Sequence, residues 1–244
     1  MNDYRNSHAS DGYGATYLMT YARGYYAAQW EYIEAPLLRR IFERLHTAGN
    51  RSYLDFACGT GRILKVGEQL FDDATGVDIS IEMAQHAREA CTRATIHAPR
   101  DITAAPLEQT FDVISAFRFF LNAQPALRRE VLAAMSAMQK SGGYLVCNTH
   151  VNSNSPLGIV YRLRNWLRGR KVAATLGVAE FTALLSEMGY DVEETHAYSF
   201  WPRIGSWAPG LQKRMLLAVD GLHARTNLLP RSISQSVILV CRKR

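Results

Sequence analysis

The stretch Tyr53–Leu64, YLDFACGTGRIL, decides the fold. An apolar run ends on Asp55, passes through Ala57, Cys58, Gly59, Thr60 and Gly61, and turns apolar again at Ile63 and Leu64. A strand that feeds a helix through small residues brings backbone N–H groups and a helix N-terminus against a ligand. Side chains larger than alanine in that turn would hold the ligand away. In doubly wound folds this crevice lies at the carboxyl ends of the strands. Asp55 closes the strand with a carboxylate for a cationic group. An acid beside a helix N-terminus suits a zwitterion, whose amine meets the acid and whose carboxylate meets the N–H groups.

Outward from this stretch, strand and helix patterns alternate. Upstream, Ile33, Leu37, Leu38, Ile41, Phe42 and Leu45 follow helical spacing from Tyr25, Pro36 marks a kink or a junction between two helices, and Gly49 stops the pattern. Downstream, SYLDFA reads as a strand and Thr60 to Leu70 as a helix. ATGVDI is the second strand, and Ser80 caps a helix running to about Ala90. RATIHA, FDVISAF and GGYLVCNTH are further strands, with a helix near Pro125 to Met138 and another over VAEFTALLSEMG. YDVEETHAYSF and SQSVILVCRKR read as two final strands, with no periodic helix in the standard position between them and antiparallel pairing open to them. Strands separated by helices imply parallel pairing through right-handed crossovers, hence an α/β, Rossmann-like doubly wound sheet.

This pattern divides the chain into an N-terminal arm and helix, 1–50, covering the ligand site, and a main domain, 51–244, with helical cap insertions expected at 152–176 and 199–232. Long insertions in a compact α/β domain serve as lids or substrate walls, or as stability elements and oligomer interfaces. Hydrophobic residues make up 48% of the 244 and charged ones 20%, enough core for a soluble globular protein. No apolar run reaches the length of a membrane span, and the polar start MNDYRNSHASDGYGATY is unlike a signal peptide, so a cytoplasmic location is expected. Cys58, Cys91, Cys147 and Cys241 are scattered, which fits reduced thiols and argues against a metal site. The net charge of +6 favours anionic partners without establishing nucleic-acid binding. A monomer or homodimer is expected.

Asp78 in GVDIS ends the second strand, where an acid accepts both ribose hydroxyls of an adenosine. Asp101 in PRDIT follows the third strand, where an acid can accept the exocyclic amine of adenine, with Ile79 and Ile102 on its faces. A nicotinamide dinucleotide is the rival ligand, but its pyrophosphate needs G-x-G-x-x-G, and a carboxylate at Asp55 would repel it. An adenosine joined to an amino acid fits better, namely S-adenosyl-L-methionine.

LDFACGTGR, GVDIS followed by Met83, RDI and FDVISAF resemble, in order and spacing, the motifs of class I S-adenosylmethionine-dependent methyltransferases, over about Ser52 to Gly189 and more loosely in the final strand. The family's common first glycine is Ala57 here. The resemblance implies a seven-stranded sheet with its last strand antiparallel, and release of S-adenosyl-L-homocysteine as product. It implies that Asp55 holds the methionyl amine. Ala57, Cys58, Gly59 and Gly61 would line the turn, with Thr60 and Arg62 near the carboxylate. Asp78 would take the ribose. Ile79 and Met83 would flank the adenine, and Asp101 and Ile102 would meet its edge. Ala116, Phe117 and Arg118 would sit by the sulfonium and the acceptor. In similar enzymes an N-terminal helix folds over the cofactor, and Tyr17 and Arg23 are the candidates here.

Methyl transfer from a sulfonium requires alignment of the acceptor and exclusion of water, with a base where the acceptor is a hydroxyl. His150, just past the fifth strand, is the first candidate base, ahead of His196 and His223; each can equally be a hydrogen-bonded structural histidine. Asn122 and Asn148 could bind acceptor hydroxyls or serve turns. Arg118, among aromatics in AFRFFLNA, binds an anionic acceptor or pairs with a structural acid. In IVYRLRNWLRGRK, Ile159, Leu163, Trp166 and Leu167 share a helical face and Arg162, Arg164, Arg168, Arg170 and Lys171 the rest. That helix either meets an anionic membrane or acidic substrate, as a peripheral contact, or docks its apolar face on the domain. The expected activity is methylation of a small molecule, such as a metabolite or a natural-product, sugar or lipid intermediate, with oxygen as the acceptor atom. RNA or protein methylation and a non-catalytic S-adenosylmethionine-binding protein are the alternatives.

Overall fold

The computed structural model describes residues 19, 21, 22, 24–169, 176–201, 208–226 and 228–244. Tyr17, Arg23, Arg170 and Lys171, all singled out above, lie outside the described residues.

Helix α1 (Gly24–Gln29) runs through a π-helical turn (Trp30–Glu34) into α2 (Ala35–Thr47). Pro36 sits in the first turn of α2, where its missing N–H costs nothing, so the expected junction is real. Leu38, Ile41, Phe42 and Leu45 form the buried stripe of α2. Gly49, at φ 100, provides the left-handed exit.

Seven strands follow: β1 (Ser52–Phe56), β2 (Asp73–Val77), β3 (Thr95–His97), β4 (Phe111–Ala116), β5 (Gln139–His150), β6 (Tyr190–Tyr198) and β7 (Ser236–Lys243). They form one sheet in the order β3-β2-β1-β4-β5-β7-β6. β7 pairs antiparallel with β5 and β6, whereas β1, β2, β3, β4 and β5 pair in parallel. This is the seven-stranded, doubly wound arrangement expected from the sequence, with its last strand reversed.

The helices between strands are α3 (Leu64–Gly67), α4 (Ile81–Ala90), α5 (Pro125–Ala137), α6 (Pro156–Leu167), α7 (Val178–Glu187) and α8 (Pro209–Thr226). Ser80 caps α4 through its side chain, 3.3 Å from Met83 N. The helix expected from Thr60 to Leu70 is only the short α3, because Gly59 and Gly61 hold positive φ angles of 55° and 79° and keep the preceding residues in a turn. α8 occupies the insertion between the last two strands, where a helical cap insertion was expected without a periodic pattern to place it. Its buried side is Gln212, Leu216 and Asp220, and Asp220 accepts the N–H groups of Ser199 (2.6 Å) and Phe200 (3.1 Å) at the end of β6. α8 packs on α1 and the π-helical turn, and the Tyr25 hydroxyl donates to Trp201 O at 2.7 Å. α1, the π-helical turn and α8 therefore form one layer.

Two apolar clusters fill the two faces of the sheet. One gathers Leu54, Ile114, Leu145 and Leu239 with α5 and α7; the other gathers Tyr53, Val113, Val146 and Val240 with α2 and α3. All four cysteines are buried and unbridged. No helix of the described residues is long and apolar enough to cross a membrane.

Candidate active site

Among the described residues, four non-glycine residues adopt left-handed backbone: Ala57 (φ 53), Arg118 (φ 61), Val151 (φ 62) and Ser199 (φ 60). They follow the ends of β1, β4, β5 and β6. Each such conformation costs of order 1 kcal/mol or more, and the cost is steepest for a β-branched residue such as Val151. The strain marks the carboxyl edge of the sheet, and the site lies on it.

After β1 the chain bends tightly. Cys58 N donates to Val77 O at 3.0 Å, and Gly61 N to Cys58 O at 2.9 Å. The two glycines do different work. A Cβ on Gly61 would lie 3.0 Å from Ala87 Cα and Cys91 Sγ, so Gly61 admits α4 against the turn. A Cβ on Gly59 would meet nothing closer than Ala57 O at 4.0 Å, so Gly59 leaves the space beside the turn open. That space is a cavity lined by Asp55, Ala57, Cys58, Gly59, Thr60, Arg62 and Ile63 on one side and by Phe117 and Arg118 on the other.

Asp55 is the buried acid of this cavity, 1% exposed. Its Oδ1 accepts the Ser115 hydroxyl at 2.5 Å, and Ser115 in turn contacts the Tyr53 hydroxyl at 2.7 Å. Its Oδ2 is buried without a hydrogen-bond partner. Burial raises the Asp55 pKa to about 7, against the lowering effect of Ser115 and with a further raise from Asp78. The Leu64 N–H and the Arg62 charge also lower it, less than burial raises it, and Oδ2 is left to accept a further donor.

Asp78 joins the same turn. Its Oδ2 accepts Gly59 N and its Oδ1 accepts Ser80 N, both at 2.8 Å. Burial raises its pKa, opposed by the N–H groups of Ser80 and Gly59. Two backbone donors leave part of the carboxylate's acceptor capacity for further hydroxyls. Ile79 is half-buried and Met83 is buried beside it on α4. Asp101 accepts Thr103 N (2.9 Å) and Thr103 Oγ1 (2.7 Å), a turn-forming pattern. Ile102 is 1% exposed and packs with Leu54, Phe56 and Val77, so it has almost no free surface. Ala116 is fully buried at the end of β4.

Arg118 carries a network that the sequence did not reveal. Its Nη2 lies 3.0 Å from Glu34 Oε2, and Glu34 is completely buried. The Tyr198 hydroxyl donates to Glu34 Oε1 at 3.1 Å, and Asn148 Nδ2 to Tyr198 at 3.3 Å. Asn148 Oδ1 accepts Arg118 N at 2.8 Å, which holds the left-handed turn. Burial raises the Glu34 pKa, and the charge of Arg62 and the Tyr198 hydrogen bond oppose that rise. The Tyr21 ring lies under both guanidiniums, 4.1 Å from Arg62 and 4.5 Å from Arg118, and Trp30 lies 4.6 Å from Arg62. Tyr21, Trp30 and Glu34 thus bring the N-terminal segment onto two cations of the cavity.

The three histidines have different surroundings. His150 stands at the end of β5 as expected, with Nδ1 buried and without a hydrogen-bond partner. Burial, reinforced by Arg118, lowers its pKa to about 3. Such an imidazole is neutral at physiological pH and a weak proton acceptor. His150 is also not among the residues that line the cavity. His196 pairs with Glu194 at 2.8 Å, and the His223 ring lies tilted against Phe200 with ring centroids 4.2 Å apart. Asn122 is exposed and donates to Arg118 O at 2.9 Å, while Asn148 is committed to the network above.

The Methyltransferase domain family profile matches residues 26–203, most of the chain. The chain belongs to the methyltransferase-domain family. With membership comes the activity: it is an S-adenosylmethionine-dependent methyltransferase. No curated protein matches it in sequence. Among solved structures, the methyltransferase is similar to magnesium protoporphyrin IX methyltransferase from Synechocystis PCC 6803 with bound SAH (TM-score 0.65, 14% identity, 98% of this chain and 97% of that one). It is also similar to an O-methyltransferase family protein from Burkholderia thailandensis (TM-score 0.63, 13% identity, 99% and 63%). A third is N-methyltransferase NodS from Bradyrhizobium japonicum WM9 with SAH (TM-score 0.57, 14% identity, 88% and 87%). At such identities the likeness establishes the fold.

Proposed function

We propose that this methyltransferase acts on a small-molecule acceptor and methylates an oxygen that is already anionic, a carboxylate or phenolate. The observation that carries the reading is one cavity lined both by Asp55, with its partnerless buried oxygen, and by Phe117 and Arg118. Bound there, S-adenosylmethionine supplies a methyl group activated by its sulfonium. Asp55 takes the donor's ammonium, and the Ala57–Gly61 turn gives its carboxylate room and backbone donors. Asp78 takes the ribose, and Ile79, Met83 and Asp101 border the adenine. Arg118 faces the acceptor, its charge shared with Glu34.

The lowered basicity of His150 supports an acceptor that needs no base. An aliphatic alcohol needs a group to receive its proton, and an imidazole with a pKa of about 3 does not hold one. An ionised oxygen needs no base, only alignment and exclusion of water. The layer formed by α1, the π-helical turn and α8 supplies that exclusion as a cap. The magnesium protoporphyrin IX methyltransferase and O-methyltransferase likenesses agree with a small acceptor.

Purified protein incubated with S-adenosylmethionine and a panel of carboxylates, phenols, aliphatic alcohols and amines tests this. S-adenosylhomocysteine should form with a carboxylate or phenol and not with aliphatic alcohols. Turnover confined to RNA or protein, or donor binding without any turnover, would overturn it.

A further inference from the structure

Helix α6 presents its apolar residues to solvent. Ile159, Val160, Leu163, Trp166 and Leu167 are all exposed, Trp166 at 71% and Leu167 at 69%. At 100° per residue these five positions form one stripe. The opposite side, with buried Gly158 and half-buried Leu157 and Asn165, faces the protein. Arg162 borders the stripe on one side and Arg164 on the other, with Arg168 beyond, all three exposed. Pro156–Leu167 contains no acidic residue.

The helix is held in this orientation. Asn152 Nδ2 donates to Ser232 O and Ser234 O, both at 3.1 Å, and Asn152 N donates to Gln235 O at 2.9 Å. Ser155 caps α6 through Gly158 N at 3.0 Å and anchors itself to Asn152 O at 2.7 Å. A Cβ on Gly158 would lie 2.1 Å from Asn152 O, so the first turn sits directly on this anchor. The stripe therefore faces outward from the carboxyl edge of the sheet, just beyond β5.

We propose that α6 is a docking surface for an anionic lipid bilayer. An apolar stripe centred on a tryptophan and flanked by arginines matches an interface with hydrocarbon below and negative headgroups at its margins. A second copy of the chain fits worse. A two-fold contact brings a patch against itself, and here it would set Arg162, Arg164 and Arg168 against their own copies with no acid in the helix to offset them. Docking by this face turns the cavity edge of the methyltransferase toward the lipid. The inference stands apart from the acceptor chemistry, since lipid binding is read without turnover.

The test is cosedimentation of the full chain with vesicles of phosphatidylcholine alone or mixed with phosphatidylglycerol. Binding should appear with the mixed vesicles and weaken as salt rises. Each surface charge contributes about fivefold, so Arg162→Gln/Arg164→Gln/Arg168→Gln should weaken binding about a hundredfold. Leu163→Gln/Trp166→Gln should abolish it with every charge retained, which separates insertion from attraction by the net positive charge. Both variants change exposed residues, and their melting temperatures and S-adenosylmethionine affinities should match the parent. Absence of vesicle binding, binding unaffected by either variant, or a dimer that Leu163→Gln/Trp166→Gln dissolves would overturn the proposal.

Discussion

Replacing Asp55 by asparagine should make the ligand-free protein more stable and the enzyme worse. Burial keeps the folded carboxyl protonated to about pH 7, against the ordinary aspartate value of 3.8. The unfolded chain loses that proton near pH 4, while the folded chain still holds it. Between these values the folded state binds more protons, so stability falls as pH rises, by about 1.4 kcal/mol per unit. The penalty reaches about 4 kcal/mol above pH 7 and is absent below pH 4. Asparagine is neutral throughout and escapes it, at a cost of about 1 kcal/mol for a weaker bond to Ser115. The net gain at pH 8 is about 3 kcal/mol, or about 6–12 °C in melting temperature for a chain of this size. At pH 4 the variant should be no more stable than the parent. Scanning calorimetry at the two pH values measures this, and calorimetric titration with S-adenosylmethionine should show affinity reduced by about ten- to a hundredfold as a charge-assisted contact is lost. A variant destabilised equally at both pH values, with donor affinity intact, would refute the reasoning.

Asp78→Ala should weaken S-adenosylmethionine binding more than tenfold, since it removes acceptors for the ribose and also frees the N–H groups of Gly59 and Ser80 that shape the turn; titration calorimetry measures it. Glu34→Ala should cost about 3–5 kcal/mol in chemical denaturation, because it leaves Arg118 uncompensated beside buried Tyr198. His150→Gln should leave the pH profile of methyl transfer unchanged between pH 5 and 9, because the imidazole is neutral across that whole range, its pKa having been lowered to about 3 by burial and by Arg118.

What the sequence made legible is the part governed by local chemistry. Strand, small-residue turn and acid follow one another within a few residues at Asp55–Gly61 and again at Asp78–Met83, and the Ser80 cap is a contact between near neighbours. What it concealed depends on distant partners. Arg118 is identifiable as a charge among aromatics, but its partner Glu34 lies 84 positions away. One signal was available: Glu34 falls on the same helical stripe as Leu38, Ile41, Phe42 and Leu45, so an acid was due to be buried. The bounds of α8 within the insertion expected to be helical could not be read, because its buried stripe, Gln212, Leu216 and Asp220, is mostly polar, and hydrophobic periodicity cannot report it. His150 was placed correctly at a strand end, but its basicity is set by burial and by Arg118, neither of which local sequence contains.

The most direct measurement is a crystal structure of the protein with S-adenosylhomocysteine. The account predicts the ligand's ammonium within hydrogen-bonding distance of Asp55 Oδ2 and its ribose hydroxyls on Asp78. A ligand seated elsewhere, or a pyrophosphate dinucleotide taken up in that cavity instead, would contradict it.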